Sequence, residues 1–399
     1  MSALTSVRGR VAAIAGVIVL VLAAGVWVAM TRGPAQPAAA APKPGAKTAT
    51  ERAAGPLQLV SETPTTGATG VNGVPDISMT FSAPVAANSP LPAITPSVAG
   101  SWQGQGTDTL RFVPTAAFGQ STHVTVSVPG GSRGIQSARG GELASATQIS
   151  FETGTYQPGR IPELLAQLGY LPVTWTPVPG ATVPAPGDAL GQIAAAYTPP
   201  AGTYSWQPGY PSELQNLWNN GAPTSEIITG AVMAFENDHG LTMDGVAGPQ
   251  VWSALLSAVG AGQSNQNGYT YAIAAEDNPE TLTIWHNGQQ VLHFLANTGI
   301  QAAPTTIGTA PVYLRYRNQI MRGTNPDGTK YADPVQYVAY FRSGEAVHYF
   351  PRGGYGFPQS LGCVELDLSD AAQAWPYLTM GSLVTVTAGA LTPPGSPVA

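Results

Sequence analysis

Apolar and polar residues alternate in short runs across residues 57–153. The runs at 76–81, 109–113, 123–128 and 146–151 are the clearest. A period of two marks strands that bury one face. Pro129-Gly130-Gly131 follows the third run, and short strands divided by turn residues predict a β-sandwich. Beyond it the period lengthens to that of helices. Residues 160–168 predict a short helix ending at Gly169, and residues 212–218 and 229–239 predict two more. A last helix opens at Gly248-Pro249 and ends near Leu256. Ser212 is placed to cap its helix, and Pro249 suits a first helical turn. A Pro/Gly-rich insertion over about 175–210 interrupts this small module, which spans 160–258. Strand signals return from residue 269. Runs at 271–273, 281–285 and 290–295 surround the turn pair Asn287-Gly288, and others follow at 335–341, 347–348 and 382–387. A helix over 370–378, capped by Ser369, precedes the last strand. The predicted fold class is multidomain and mainly β: a β-sandwich, a small helical module with an insertion, and a mainly β domain over 269–388, then a tail over 389–399.

One run has no period. Residues 11–30 are twenty uncharged, mostly apolar residues preceded by Arg8 and Arg10. That length matches a bilayer's hydrocarbon core, and the flanking charges favour an inside N-terminus. The expectation is a single-pass transmembrane anchor with residues 1–10 cytoplasmic and the later domains exported. A cleavable signal, cut near Ala23–Gly25, is the alternative. Residues 31–56 are rich in Pro and Ala and predict a semi-extended linker.

Charge narrows the function. The 399 residues hold sixteen Lys plus Arg against twenty-two Asp plus Glu, a formal net charge of −6. No cationic stripe exists to track a phosphate backbone, so nucleic acid is excluded as a partner. His239 lies near Asp238 and Asp244, but repeated metal-ligand spacing is lacking. Neither a metal nor a diffusible cofactor is expected.

The chemistry gathers near the C-terminal end. Cys363 is the single cysteine. Exported proteins generally pair their cysteines, and one thiol cannot form an internal pair. His348 lies fifteen positions earlier. A thiol is readily activated as a nucleophile, and imidazole is its usual base. Arg352, Gly353, Gly354, Gly356 and Pro358 lie between them and predict a loop that folds back. An inert buried thiol is the competing reading.

Three resemblances follow from these residues. Phe81-Ser-Ala-Pro-Val85 and the surrounding strands resemble bacterial immunoglobulin-like modules. Leu214-Gln215, Gly230-Ala231-Val232, Phe235-Glu236, His239-Gly240-Leu241, Asp244-Gly245 and Trp252 resemble a three-helix peptidoglycan-binding domain. Residues 269–388 resemble a bacterial L,D-transpeptidase catalytic domain. The match runs through the Ile284–Gly288 hairpin, Gly299, Pro304-Thr305-Thr306, His348, Ser360-Leu361-Gly362-Cys363 and Gly381.

The last resemblance implies Cys363 as nucleophile and His348 as general base and acid. It further implies the Tyr349 backbone carbonyl as the group orienting His348, and Gly362 as a backbone oxyanion donor. Ser360, Arg352, Leu361, Glu365, Tyr340 and Tyr355 are the expected substrate contacts. The implied reaction is 3→3 cross-linking of peptidoglycan stems. Stem peptides and glycan are the implied partners, carbapenems are implied covalent inhibitors, and the implied location is the cell membrane facing the wall. Two positions depart from the family pattern: Leu361 replaces a histidine, and Glu365 replaces Asn or Arg. Glu365 would either repel a substrate carboxylate or pair with a diaminopimelate amine. An L,D-carboxypeptidase and a non-catalytic, membrane-tethered wall-binding scaffold are the alternatives.

Overall fold

The computed structural model describes residues 55–219, 222 and 225–388. The chain divides into two compact units, residues 1–52 and 53–399, and the first lies outside the described residues. The expected single-pass anchor over 11–30 requires correction. Among the described residues no helix is long and apolar enough to cross a membrane, and the stretch itself is not among them. The membrane partner and the membrane localisation rested on that anchor and find no support among the described residues. Nearly all of the 31–56 linker and the tail from residue 389 also lie outside the described residues.

Eight strands build the first domain: β1 (Leu59–Thr63), β2 (Ala68–Val71), β3 (Ile77–Phe81), β4 (Ala93–Thr95), β5 (Gly100–Gln103), β6 (Thr109–Pro114), β7 (His123–Val128) and β8 (Thr147–Thr153). They form two four-stranded sheets, ordered β1-β3-β6-β5 and β2-β8-β7-β4. The alternation seen in sequence is the burial pattern. Ile77, Met79, Phe81, Val124, Val126, Val128, Ile149 and Phe151 share one core. Each large apolar side chain buried there contributes about 1.5–3 kcal/mol.

The middle region holds α1 (Arg160–Gln167), β9 (Val173–Pro177), α2 (Ala189–Tyr197), β10 (Gly202–Trp206), α3 (Ser212–Gln215), α4 (Glu226–Asp238) and α5 (Pro249–Gly260). The Pro/Gly-rich insertion is more ordered than its composition suggests. It contains α2 and the antiparallel β9–β10 pair, and the Asp188 side chain accepts the Gly191 N–H at the start of α2. Ser212 is the first helical residue rather than the cap, which is Pro211.

The last domain adds β11 (Thr270–Ala275), β12 (Thr281–His286), β13 (Gln289–Leu295), β14 (Gly308–Pro311), β15 (Leu314–Thr324), β16 (Lys330–Arg342), β17 (Glu345–Tyr349), β18 (Val364–Leu366), α6 (Leu368–Ala374) and β19 (Leu383–Thr387). One sheet runs β13-β12-β11-β19-β14 and the other β15-β16-β17-β18. Asp367, not Ser369, caps α6 through the Asp370 N–H at 2.8 Å. Side-chain alternation makes three layers. Ala272, Ala274, Leu282, Ile284, Val384 and Val386 face the second sheet, whereas Tyr271, Ile273, Trp285 and Leu383 join the helical core of the middle region. The helices therefore cover one face of the five-stranded sheet. Their approach requires glycine: a Cβ on Gly230 would come within 2.6 Å of the Gly381 carbonyl oxygen.

Candidate active site

The register of the second sheet brings His348 and Cys363 to one wall. β17 and β18 run parallel, pairing Val347 with Val364, His348 with Glu365 and Tyr349 with Leu366. Strand side chains alternate between faces. Val347, Val364 and Leu366 enter the core between the sheets, which leaves His348, Glu365 and the preceding Cys363 on the opposite face. There they line a cavity of about 580 Å³ together with Arg352, Leu361 and Tyr340.

The far wall is the β15–β16 hairpin. Its register is unbroken from Leu314–Tyr340 to Met321–Asp333, with Arg317 and Tyr337 left out of the pairing. Val335 and Met321 nevertheless share one apolar cluster with Val338 and Tyr340, so the face turned to the cavity changes parity at that point. Tyr337 takes φ +56° there, and the pairing of β16 with β17 shifts between Gln336 and Ala339. Bulges of this kind re-aim side chains beside sites. The outer half of the hairpin thereby supplies Gln319, Met321, Tyr331, Asp333 and Val335 to the cavity.

His348 is 3 % exposed, and its Nδ1 lies 3.0 Å from the Tyr349 carbonyl oxygen. A carbonyl only accepts, so Nδ1 carries the proton and Nε2 keeps its lone pair. Burial lowers the imidazole's pKa, against opposing contributions from the Tyr349 bond and the Glu365 charge. Burial also pushes the Cys363 thiol up to about 12. Glu365 and Glu345 add to that rise, while a hydrogen bond from the Ala346 backbone opposes it. The resting pair is therefore a neutral thiol and a neutral imidazole. In this state the thiol donates to the Gly344 carbonyl at 3.8 Å rather than to the imidazole.

Three other expected residues shape the loop. Ser360 is fully buried; its hydroxyl donates to the Cys363 carbonyl at 2.6 Å and accepts the Gly362 N–H at 3.1 Å. The Gly362 N–H is thus engaged by Ser360 before any substrate arrives. Gly362 itself adopts φ +109°, a region that favours glycine. Tyr355 donates to the Phe350 carbonyl at 2.7 Å, bracing the loop outside the cavity lining.

The two departures noted in the sequence have different surroundings. Leu361 is 36 % exposed at the cavity. Glu365 is buried and takes two hydrogen bonds from Arg352, Nε to Oε2 and Nη2 to Oε1, both 2.7 Å. Arg352 also donates to the Gln359 carbonyl at 2.9 Å and stacks over Phe350. The acid therefore has its cation within the protein. This pairing escaped sequence reasoning, because Arg352 and Glu365 are thirteen positions apart across an irregular loop. The hairpin wall was also missed, although Asn325-Pro326-Asp327-Gly328 is a turn signal. In the structure the Asp327 carboxylate accepts the Thr329 N–H and hydroxyl in that turn. Among the described residues no cluster of His, Cys, Asp and Glu is arranged to hold a metal ion.

Comparison with known proteins identifies two domains. Residues 53–153 match the bacterial Ig-like domain family, and residues 270–386 match the L,D-transpeptidase catalytic domain family, YkuD. The chain thus carries an N-terminal Ig-like domain and a C-terminal YkuD-like L,D-transpeptidase catalytic domain. No curated protein matches it. Similar solved structures include an L,D-transpeptidase from Mycobacterium smegmatis, 14 % identical over 84 % of this chain and 100 % of that one, with a TM-score of 0.28. Another is L,D-transpeptidase 3 from Mycobacterium tuberculosis with a faropenem-derived adduct, 15 % identical over 82 % and 97 %, TM-score 0.27. The catalytic domain of the E. faecium L,D-transpeptidase is 25 % identical over 30 % and 96 %, TM-score 0.28.

Proposed function

We propose that the protein is a cysteine-dependent L,D-transpeptidase that forms 3→3 cross-links between peptidoglycan stems. One observation carries the reading: a thiol and an imidazole with a free Nε2 line one cavity, on a domain that matches the L,D-transpeptidase catalytic family.

As Cys363 Sγ attacks the carbonyl between diaminopimelate and the terminal D-Ala, its proton passes to His348 Nε2. The sulfur must first turn from the Gly344 carbonyl, and such hydrogen bonds commonly tighten only once substrate binds. The tetrahedral intermediate collapses as the C–N bond breaks. His348 returns the proton to the departing D-Ala amine, leaving a thioester. The side-chain amine of a second stem's diaminopimelate then attacks that thioester. Its proton passes through His348 back to sulfur, and an amide joins the stems.

Arg352 is the group we assign to a substrate carboxylate. Two of its nitrogens are held by Glu365 and Gln359, which fixes the guanidinium plane, and it lines the cavity. Only the two Nη1 hydrogens stay unused by these bonds, so a carboxylate would be met through that one nitrogen. Glu365 then acts as the internal partner of Arg352 rather than as a repelling group. Leu361 and Tyr340 supply apolar surface to the bound stem, and the middle helical region is assigned wall binding.

Product analysis with tetrapeptide-stem muropeptides tests this. Dimers joined through diaminopimelate, with D-Ala released and both lost in Cys363→Ala, are the expected result. D-Ala release without dimers at any acceptor concentration would instead establish an L,D-carboxypeptidase. Absence of both from folded protein would favour a wall-binding scaffold.

A further inference from the structure

Resting on that reading, we propose that Glu280 is a positioning residue for the nucleophile turn, acting through Thr298. The turn hangs on the segment 296–300. Thr298 O accepts two consecutive backbone donors of the turn, Gln359 N–H at 3.0 Å and Ser360 N–H at 2.9 Å. Ile300 N–H donates back to Ser360 O at 2.9 Å. Past the cysteine, Asn297 and Glu365 exchange both backbone hydrogen bonds, at 3.0 and 2.9 Å. The loop holding Cys363 is therefore pinned to this segment on both sides.

The segment is in turn held by one carboxylate. Glu280 is 2 % exposed, and it accepts the Thr298 N–H at 2.6 Å and the Thr298 hydroxyl at 2.7 Å. Its backbone closes a second link: Glu280 N–H donates to Gly356 O at 2.8 Å, and Ala296 N–H donates to Glu280 O at 3.0 Å. Glu276 also reaches the Thr298 hydroxyl but leaves Oε1 without a partner. A continuous path thus runs from Glu280 through Thr298 and Ser360 to the Gly362 N–H and the Cys363 carbonyl. Neither Glu280 nor Thr298 lines the cavity, so Glu280 is not catalytic. A buried carboxylate is an expensive strut. Here it fixes two donors of a single residue whose carbonyl sets where the turn begins. Displacement of Thr298 would shift the backbone around Cys363, where small errors in geometry are amplified into rate.

The test separates positioning from folding and from the choice of substrate. Glu280→Gln keeps one acceptor oxygen and turns an amide donor toward the other Thr298 donor, Thr298→Val removes the hydroxyl alone, and Thr298→Ser keeps both donors. Each variant is assayed for acylation of Cys363 by p-nitrophenyl acetate, alkylation by iodoacetamide, kcat and KM for D-Ala release, and Tm. Carbonyl attack needs the turn's backbone; alkylation does not. The expected result for Glu280→Gln is acylation and kcat reduced about 10- to 100-fold, with KM and alkylation unchanged. Thr298→Val should follow in the same direction and Thr298→Ser should match wild type. Should Glu280→Gln fail to fold, the two threonine variants carry the test. Wild-type acylation rates in Glu280→Gln or Thr298→Val, with only Tm lowered, would overturn the proposal. Failure of every variant and of wild type to release D-Ala would reject the substrate assignment alone, since the ester still reports on Glu280.

Discussion

Glu365→Gln is the perturbation whose energetic consequence is most directly set by the structure. The substitution removes the charge that takes two hydrogen bonds from Arg352. It also leaves an amide donor facing a guanidinium donor. The side chains of Arg352 and Glu365 are 27 % and 6 % exposed. Breaking a fully buried pair costs about 3–5 kcal/mol, whereas an exposed pair contributes about 0–1 kcal/mol. Water reaching Arg352 from the cavity places this case between the two, at about 2 kcal/mol. Hydrogen exchange of the β17 and β18 backbone amides across a urea gradient reads opening of the domain that holds the pair, whatever the sandwich does. Wild type, Glu365→Gln, Arg352→Gln and the double variant then form a cycle. The expected coupling is about 1–2 kcal/mol, with the double variant more stable than the two single losses predict. Additivity within about 0.5 kcal/mol would refute the reasoning, because the two groups would then not be stabilising one another.

Other outcomes follow from the same geometry. Because burial lowers His348 and raises Cys363 to about 12, the D-Ala release rate should rise through an acid limb below about pH 6.5 and show no alkaline fall between about pH 7 and 10; an alkaline limb there would indicate a thiolate–imidazolium pair. The same lowered imidazole pKa means the unfolded chain binds the extra proton first, so its contribution to stability is complete above about pH 6.5 and declines as the pH drops through the folded value. His348→Gln should flatten that part of the stability profile measured by urea unfolding. Ser360→Ala removes both turn hydrogen bonds and should cost about 1–3 kcal/mol by the same hydrogen-exchange measurement, with slower acylation. Gly230→Ala should destabilise the contact between α4 and the five-stranded sheet by about 1–3 kcal/mol in thermal unfolding, since the added methyl meets the Gly381 carbonyl.

The parts of the molecule legible in sequence are those in which local pattern and tertiary burial agree. Residues 123–128 alternate and so does their burial. Asn287-Gly288 turns between β12 and β13, with φ +49° and +76°. Strand β15 was hidden because its side chains are mostly exposed or half-buried, leaving no apolar period to detect. The change of parity at Arg317 and Tyr337 further breaks what pattern there is. Helix α2 was masked by flanking Pro and Gly, and its small apolar residues, Ala195 and Ala196, are buried by tertiary packing that no local pattern shows. At the site, the approach of His348 and Cys363 to one cavity followed from a loop rich in glycine. The Arg352–Glu365 pair and the Glu280–Thr298 link depend on which loops meet, and that is fixed by sheet order rather than by any local spacing.

Acylation of Cys363 by a stem peptide is the step on which the proposed activity depends. Intact-mass analysis of rapidly quenched protein with a tetrapeptide stem and no acceptor would show it. The predicted result is a thioester adduct of the stem less D-Ala, absent from Cys363→Ala and much slower to form in His348→Ala. An adduct that survives Cys363→Ala, or folded wild-type protein that never acquires one while releasing no D-Ala, would contradict the assignment of Cys363 as the nucleophile.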